Sequence, residues 1–221
     1  MNPTDPISLT WWGLLVSSFV IGLSGAVMPG PVLAVTITHA AKRGVKAGPL
    51  IVLGHGILEA SLLVALVLGL GKVLTRPGVM GVVGGVGALI LLWMGIGMFR
   101  SLPRLTLELS PEDEQRKAGP VRDGFLLSLA NPYWALWWAT VGLSLTVMAM
   151  DSGMGLWGLL VFYLGHISSD LAWYLLVAFL VAKGRRFLSD GIYRGLVGVC
   201  AGAILFFAGY FGIFAWQQLA G

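Results

Sequence analysis

The sequence predicts an all-α polytopic membrane protein of about six transmembrane helices, arranged as two inverted three-helix repeats. Three observations predict this fold class. Of the 221 residues, 57% are hydrophobic and 11% are charged, whereas soluble domains carry about 25% charged residues. Six apolar stretches are long enough to cross a bilayer, which takes about 20 residues each. Finally, the motif Leu-Gly-His, followed four residues after the histidine by an acid, occurs once in each half of the chain.

The low charge content also restricts the partners of the chain. So few charged residues cannot cover a water-facing surface, and the exterior must therefore face the lipid bilayer. The net charge of +4 would suit a nucleic-acid binder, but the basic residues lie between apolar segments and form no patch with interleaved aromatics. We therefore predict no nucleic-acid partner. Residues Met1 to Thr10 contain no Lys or Arg, so we expect no cleavable signal peptide and a retained first helix.

The six stretches form a single transmembrane domain over residues 1–221. Repeat one covers about residues 11–99, a cytoplasmic loop about residues 100–123, and repeat two about residues 124–217. The loop contains three prolines and three consecutive acids, which are typical of a solvated segment. The predicted spans are Trp11–Ala41, Ala47–Gly71, Val79–Phe99, Gly124–Met148, Gly153–Ala182 and Gly191–Trp216.

The basic residues predict the orientation of the spans. Twelve of the fourteen Lys and Arg residues follow the first, third and fifth spans, and only Lys72 and Arg76 lie in the other connections. The positive-inside rule places the basic connections in the cytoplasm and both termini outside. His39, near the cytoplasmic end of the first span, is expected at the membrane interface. A five-span arrangement with one re-entrant segment remains the main alternative.

The repeated motif lies on the second and fifth spans. Residues 53–59 read LGHGILE and residues 164–170 read LGHISSD. Three spans in each half give the two halves opposite orientations in the membrane. This arrangement is the inverted repeat of many secondary transporters, whose binding sites lie at the interface between the repeats.

The two motifs contain the residues most suited to chemistry. Glu59 and Asp170 are the only carboxylates inside the predicted spans. A charge at the bilayer centre costs about 2.5–3.5 kcal/mol on insertion scales, so both should face the bundle interior or a wet cavity. His55 and His166 each lie one helical turn from the acid, on the same helix face. Such pairs can exchange a proton near neutral pH, and we predict a proton-coupling or substrate-ammonium site. A static buried pair is the alternative.

Proline breaks interrupt the first and fourth spans, at Pro29-Gly30-Pro31 and Asn131-Pro132. Proline lacks an N–H group, and its ring clashes with the carbonyl of the preceding turn. Non-helical backbone is tolerated at membrane depth where protein buries it or where it lines a cavity. The freed carbonyls and half-helix N-termini can then bind a polar ligand. The alternative is a pair of kinks that affect packing only.

These elements together resemble the lysine-exporter-type (LysE/RhtB) translocator family. The resemblance rests on Met28-Pro29-Gly30-Pro31, on the connection AAKRGVKAG at 40–48, on the glycine-rich second and third spans, and on Asn131-Pro132. It implies a six-helix exporter of amino acids or related metabolites in a bacterial inner membrane, driven by a proton or sodium gradient. By this resemblance, Pro29, Gly30, Pro31, Asn131 and Pro132 would border the transport path.

The sequence therefore predicts a secondary transporter that exports amino acids or related small polar metabolites, and no enzyme, since no nucleotide-binding or catalytic-triad motif is present. No cofactor is predicted. One alternative is a divalent-metal-ion transporter or a metal-binding membrane protein, because two histidines and two carboxylates can ligate a metal. A non-transporting scaffold is a second alternative, and a homo-oligomer is left open. The metal ligands would be His55, Glu59, His166 and Asp170.

Overall fold

The structure is a computed structural model that describes residues 10–70, 73, 76–105, 119–184 and 189–220. All regular elements within these ranges are helical. Among the described residues, five helices are long and apolar enough to cross a membrane, and the spans number six if the bent pair at the start of the chain counts as one. The prediction of an all-α membrane protein is confirmed for the described residues. The inverted repeat stays a prediction, and the central part of the predicted cytoplasmic loop, residues 106–118, lies outside the described residues.

Nine α-helices are numbered here in chain order within the described ranges. A π-helical turn, Leu66–Leu70, continues α3, a second one, Trp138–Gly142, joins α6 to α7, and a 3-10 turn, Leu102–Arg104, follows α4. The helices are α1 Trp11–Ala26, α2 Pro31–Arg43, α3 Ala47–Ala65, α4 Pro77–Ser101, α5 Pro120–Leu129, α6 Pro132–Trp137, α7 Leu143–Asp151, α8 Leu156–Gly184 and α9 Asp190–Ala220.

The first predicted span is two helices joined at the proline break. Helix α1 ends at Ala26, α2 begins at Pro31, and the two are bent by 84°. Proline suits the first position of α2 because a backbone N–H at that position would have no acceptor within the helix. At the other end of α2, Gly44 has a φ of 79° and turns the chain into α3, a conformation that favours glycine. The predicted break in the first span is confirmed.

The fourth predicted span is also broken, and its boundary differs from the prediction. The Asn131 side chain accepts a hydrogen bond from the Tyr133 N–H at 3.1 Å and caps α6, with Pro132 at the first helical position. The apolar span in the structure is Pro132–Asp151, whereas the prediction was Gly124–Met148. The prediction began too early because hydropathy runs continuously across the break that separates α5 from α6.

Helix packing places α8 in the centre of the bundle. Helix α1 packs along α8, α3 along α5, and α4 along α9, while α8 also contacts α2 and α3. The glycines of the two repeated motifs lie where helix backbones cross. A Cβ at Gly54 would overlap the Val121 carbonyl of α5, and a Cβ at Gly165 would overlap the Leu15 carbonyl of α1. These glycines therefore allow α3 to approach α5 closely and α8 to approach α1 closely.

We expect Gly54→Ala to destabilise the protein by about 1–3 kcal/mol, the usual cost of overpacking. The added methyl group meets the α5 backbone, which cannot rotate away as a side chain can. Thermal unfolding in detergent measures the change. Gly97→Ala is the matched control, since a Cβ there meets nothing within 4 Å. Equal unfolding temperatures for the two variants would contradict the role given to Gly54.

Candidate functional site

Helices α3 and α8 bring the four predicted motif residues into one buried cluster. His55 and Glu59 come from α3, His166 and Asp170 come from α8, and all four are between 1% and 7% exposed. Three atoms that could ligate a metal, one each from His55, Glu59 and Asp170, lie within 4.8 Å of one another. The two acids therefore meet inside the bundle, as the insertion cost of a charge in lipid requires.

Glu59 is held by hydrogen-bond donors from α3, α8, α6 and the π-helical turn that follows α6. Its Oε1 atom lies 2.9 Å from His55 Nε2 and 3.2 Å from His166 Nε2. The same oxygen accepts the indole N–H of Trp138 at 2.9 Å and that of Trp134 at 3.2 Å. Because an indole N–H can only donate, these contacts identify Oε1 as an acceptor. This dense set of donors is suited to an ionised carboxylate.

The hydrogen bonds of Ser128 determine where the protons of His55 lie. The Ser128 hydroxyl donates its single proton to the Gly124 carbonyl at 2.6 Å. Its oxygen must then accept from His55 Nδ1, which lies 2.7 Å away. Since His55 Nε2 faces the Glu59 oxygen, both ring nitrogens face acceptors and both carry a proton. His55 and Glu59 thus form a charged pair that is neutral overall.

Asp170 has no comparable partners. Its oxygens lie 3.9 Å from His55 Nε2 and 3.7 Å from His166 Nε2, which is beyond ordinary hydrogen-bond distance. The buried Oδ2 atom accepts no hydrogen bond from any residue that the structure describes. The two acids of the cluster therefore differ, because Glu59 has a hydrogen-bonded cation and Asp170 has none among the described residues.

His166 differs from His55 in the same way. Its Nε2 faces Glu59, but its buried Nδ1 has no partner among the described residues. The neighbour on that side is Gly22 of α1, where a Cβ would come within 2.9 Å of Nδ1. The ring stacks on Trp137, with centroids 4.8 Å apart. One ring proton, on Nε2, therefore accounts for the contact of His166 with Glu59.

The cluster forms one wall of a cavity between the two helix breaks. The cavity has about 40 Å³ of volume open to water-sized molecules, and about 480 Å³ of space when its open mouth is included. The two breaks meet there, since the Asn131 amide nitrogen lies 3.7 Å from the position of a Cβ on Gly30. Besides the cluster, the wall includes Met28, Gly30, Asn131, Tyr133, Trp134 and Trp137.

The break residues divide between lining and packing roles. Gly30 and Asn131 line the cavity beside the cluster. Pro29 and Pro31 line a smaller recess that also touches Asn131. Pro132 is buried, and a Cβ at Gly87 of α4 would overlap it. The three prolines thus lie at the helix breaks, which leave Gly30 and Asn131 beside the cavity.

Sequence reasoning did not identify the donors around the cluster. Trp134 and Trp138 are one helical turn apart, and this spacing was the available signal that both can face the same partner. Nothing in the local sequence singles out Ser128. His39, whose expected place at the membrane interface stays a prediction, is 8% exposed and lies 2.8 Å from Asp123 Oδ2, so it joins the end of α2 to the first turn of α5.

We expect Trp138→Phe to destabilise the protein by about 1–3 kcal/mol, since it removes a buried donor to Glu59 and keeps an aromatic ring in place. Chemical denaturation in detergent, followed by circular dichroism, measures the change. Trp216→Phe serves as the control because Trp216 is 74% exposed. A Trp138→Phe protein as stable as this control would show that the indole N–H contributes nothing to the cluster.

Comparison with known proteins adds independent findings. The model of the LysE type translocator family matches residues 23–214, which include both breaks and all four cluster residues. The "Putative amino acid efflux protein YcgF" of Bacillus subtilis (strain 168) is 26% identical over 208 residues, which are 94% of this chain and 99% of that protein. No solved structure gives a significant match.

Proposed function

Because the chain belongs to the LysE type translocator family, we propose that it exports amino acids or related small polar metabolites and that an ion gradient drives the export. The family membership confirms the resemblance seen in the sequence, and the protein is a multi-pass membrane protein. The relative named as an amino acid efflux protein supports the substrate class. The single observation that carries the proposal is the polar cavity where two helix breaks and two buried acids meet.

The cavity is suited to alternating access. The cluster lies between α3 and α8, and each of these helices packs closely on the first helix of the opposite half of the chain. A movement of one half against the other would keep the cluster central and change the side to which the cavity opens. Asn131 and Gly30, at the ends of broken helices, would meet the substrate on its way.

A proton is the coupling ion that the side chains support best. The cluster has two acids and two histidines, and the hydrogen bonds of His55 and Glu59 already share one proton between them. Groups of this kind gain and lose protons at pH values that cells experience. Sodium is the alternative coupling ion.

Reconstituted vesicles test this function. Labelled amino acid uptake is measured with a pH gradient imposed across the membrane, with the gradient collapsed by a protonophore, and with a sodium gradient alone. The proposal expects accumulation that requires the pH gradient. Accumulation with the sodium gradient alone would replace the proton by sodium. No transport of any amino acid under either gradient would contradict the proposed export.

A divalent-metal transporter is the second candidate, favoured by the 4.8 Å grouping of His55, Glu59 and Asp170. A metal ion would have to compete with the donors that already surround Glu59 Oε1. Elemental analysis of the purified protein and the metal tolerance of a deletion strain distinguish the two functions. Stoichiometric metal together with lost tolerance would favour the metal function.

We also propose a location in the cytoplasmic membrane of a bacterium, consistent with the Bacillus relative, and no enzymatic activity. A pure scaffold is a weaker explanation, because burying two acids in the membrane costs free energy and would serve no function in such a protein.

A further inference from the structure

We propose that the cavity binds a zwitterionic amino acid with a neutral side chain, with its ammonium group at Asp170 and its carboxylate at the N-terminus of α2. This inference rests on the proposed function and specifies the substrate class of the same cavity. It follows from three features of the wall: an unbalanced buried acid, an uncapped helix N-terminus, and an aromatic surface without charge.

The place of the substrate ammonium group follows from the different partners of the two acids. Glu59 is balanced by the doubly protonated His55, whereas Asp170 is 3% exposed and has no hydrogen-bonded cation. A buried carboxylate without a partner is strongly unfavourable, and a cationic ligand removes that penalty. Glu59 Oε2 and Asp170 Oδ2 are both buried and accept no hydrogen bond within the described part of the chain. An ammonium group has three donors and can serve both oxygens.

The place of the substrate carboxylate follows from the free backbone donors at the N-terminus of α2. The first N–H groups of a helix have no acceptor within the helix, and the helix dipole places partial positive charge there. The N-cap of α2 is Gly30, and no side chain caps this helix. By contrast, Asn131 caps α6 with its side-chain oxygen, and its amide nitrogen faces Gly30. The uncapped N-terminus and the amide together offer donors to a carboxylate.

The remaining wall selects the side chain of the substrate. Met28, Tyr133, Trp134 and Trp137 supply an apolar and aromatic surface. Among the described residues that line the cavity, no acid or base lies outside the cluster itself. A charged substrate side chain would lose its hydration against this surface without gaining a partner. A neutral side chain of moderate size loses little and packs against the rings.

Competition binding on the intact parent protein tests the three features separately. Labelled L-leucine is bound to the full chain in detergent, and its displacement by unlabelled analogues is measured. We expect L-valine to compete well. 3-Methylbutylamine and 4-methylpentanoate should each compete at least about tenfold more weakly, the loss expected when one ionic contact of about 1.4 kcal/mol is missing. L-Lysine and L-glutamate should also compete at least about tenfold more weakly, because their charged side chains lose hydration against the apolar wall. If the amine competes as well as leucine, the carboxylate site is wrong. If lysine or glutamate does, the substrate class is wrong.

A matched pair of variants tests the ammonium site. Asp170→Asn should weaken L-leucine binding at least about tenfold. Asp151→Asn makes the same change at an exposed acid at the end of α7 and should bind as the parent does. Equal leucine binding by both variants overturns the assignment of Asp170, and the analogue series on the parent stands even if Asp170→Asn fails to fold. A parent protein that transports lysine but binds no leucine overturns this inference and leaves the proposed export intact, whereas transport of no amino acid overturns the export itself.

Discussion

The variant Glu59→Gln is expected to lose gradient-driven amino acid export by about 100-fold. Glutamine can still accept the two indole hydrogen bonds, but it cannot balance the charged ring of His55, and it cannot carry a proton. A hydrogen bond to a charged group contributes about 1.5–3 kcal/mol, and a loss of about 2.7 kcal/mol corresponds to two decades of rate. Uptake into vesicles with an imposed pH gradient measures the loss.

Two comparisons separate coupling from general damage in Glu59→Gln. Exchange of labelled for unlabelled amino acid without a gradient should fall much less than gradient-driven export, because exchange needs no net proton movement. Asp151→Asn, at an exposed acid, should export as the parent does. Gradient-driven export at the parent rate in Glu59→Gln would remove Glu59 from the coupling mechanism.

The variant His55→Leu is expected to destabilise the protein by about 3–5 kcal/mol, the usual cost of leaving one member of a buried ion pair without its partner. Glu59 is 1% exposed, so its carboxylate depends on its protein partners to stabilise the charge. Denaturation in detergent measures the effect. His39→Leu is the matched comparison, since His39 also lies 2.8 Å from an acid, but that acid is 25% exposed. We expect that variant to lose about 1 kcal/mol or less.

A double variant tests the physical reason for this loss. When Glu59→Gln is combined with His55→Leu, the unpaired charge disappears, and the protein should recover much of its stability while export stays absent. A His55→Leu protein as stable as His39→Leu would contradict the charged-pair assignment. So would a double variant that is less stable than His55→Leu alone.

The sequence predicted the helical membrane fold and both helix breaks because these depend on local chemistry. Proline disrupts the interior of a helix and is tolerated only in its first turn, and the breaks before Pro31 and Pro132 follow from that rule. The start of the fourth span was predicted too early because apolar residues lie on both sides of Asn131. Hydropathy measures transfer into lipid and does not register where the backbone leaves the helix.

The four cluster residues were also predictable, because a charge in the membrane must face the interior. The difference between the partners of the two pairs was not predictable. His55 has Ser128 as a partner while His166 has Gly22 beside it, and this difference depends on how α5 docks on α3 and α1 on α8. The indole donors to Glu59 are likewise more than seventy residues away in the chain. No local pattern encodes contacts of that range.

The reactivity of a cysteine at position 131 tests most directly the central claim that the cavity between the breaks is the substrate path. Cys200 is the single native cysteine and is replaced by alanine first. A small cationic thiosulfonate reagent should modify Asn131→Cys, and saturating amino acid substrate should slow the modification. Leu89→Cys, at a 68% exposed position on the apolar surface of α4, should not react from water. An Asn131→Cys protein that does not react, or that reacts equally fast with substrate present, would contradict the account.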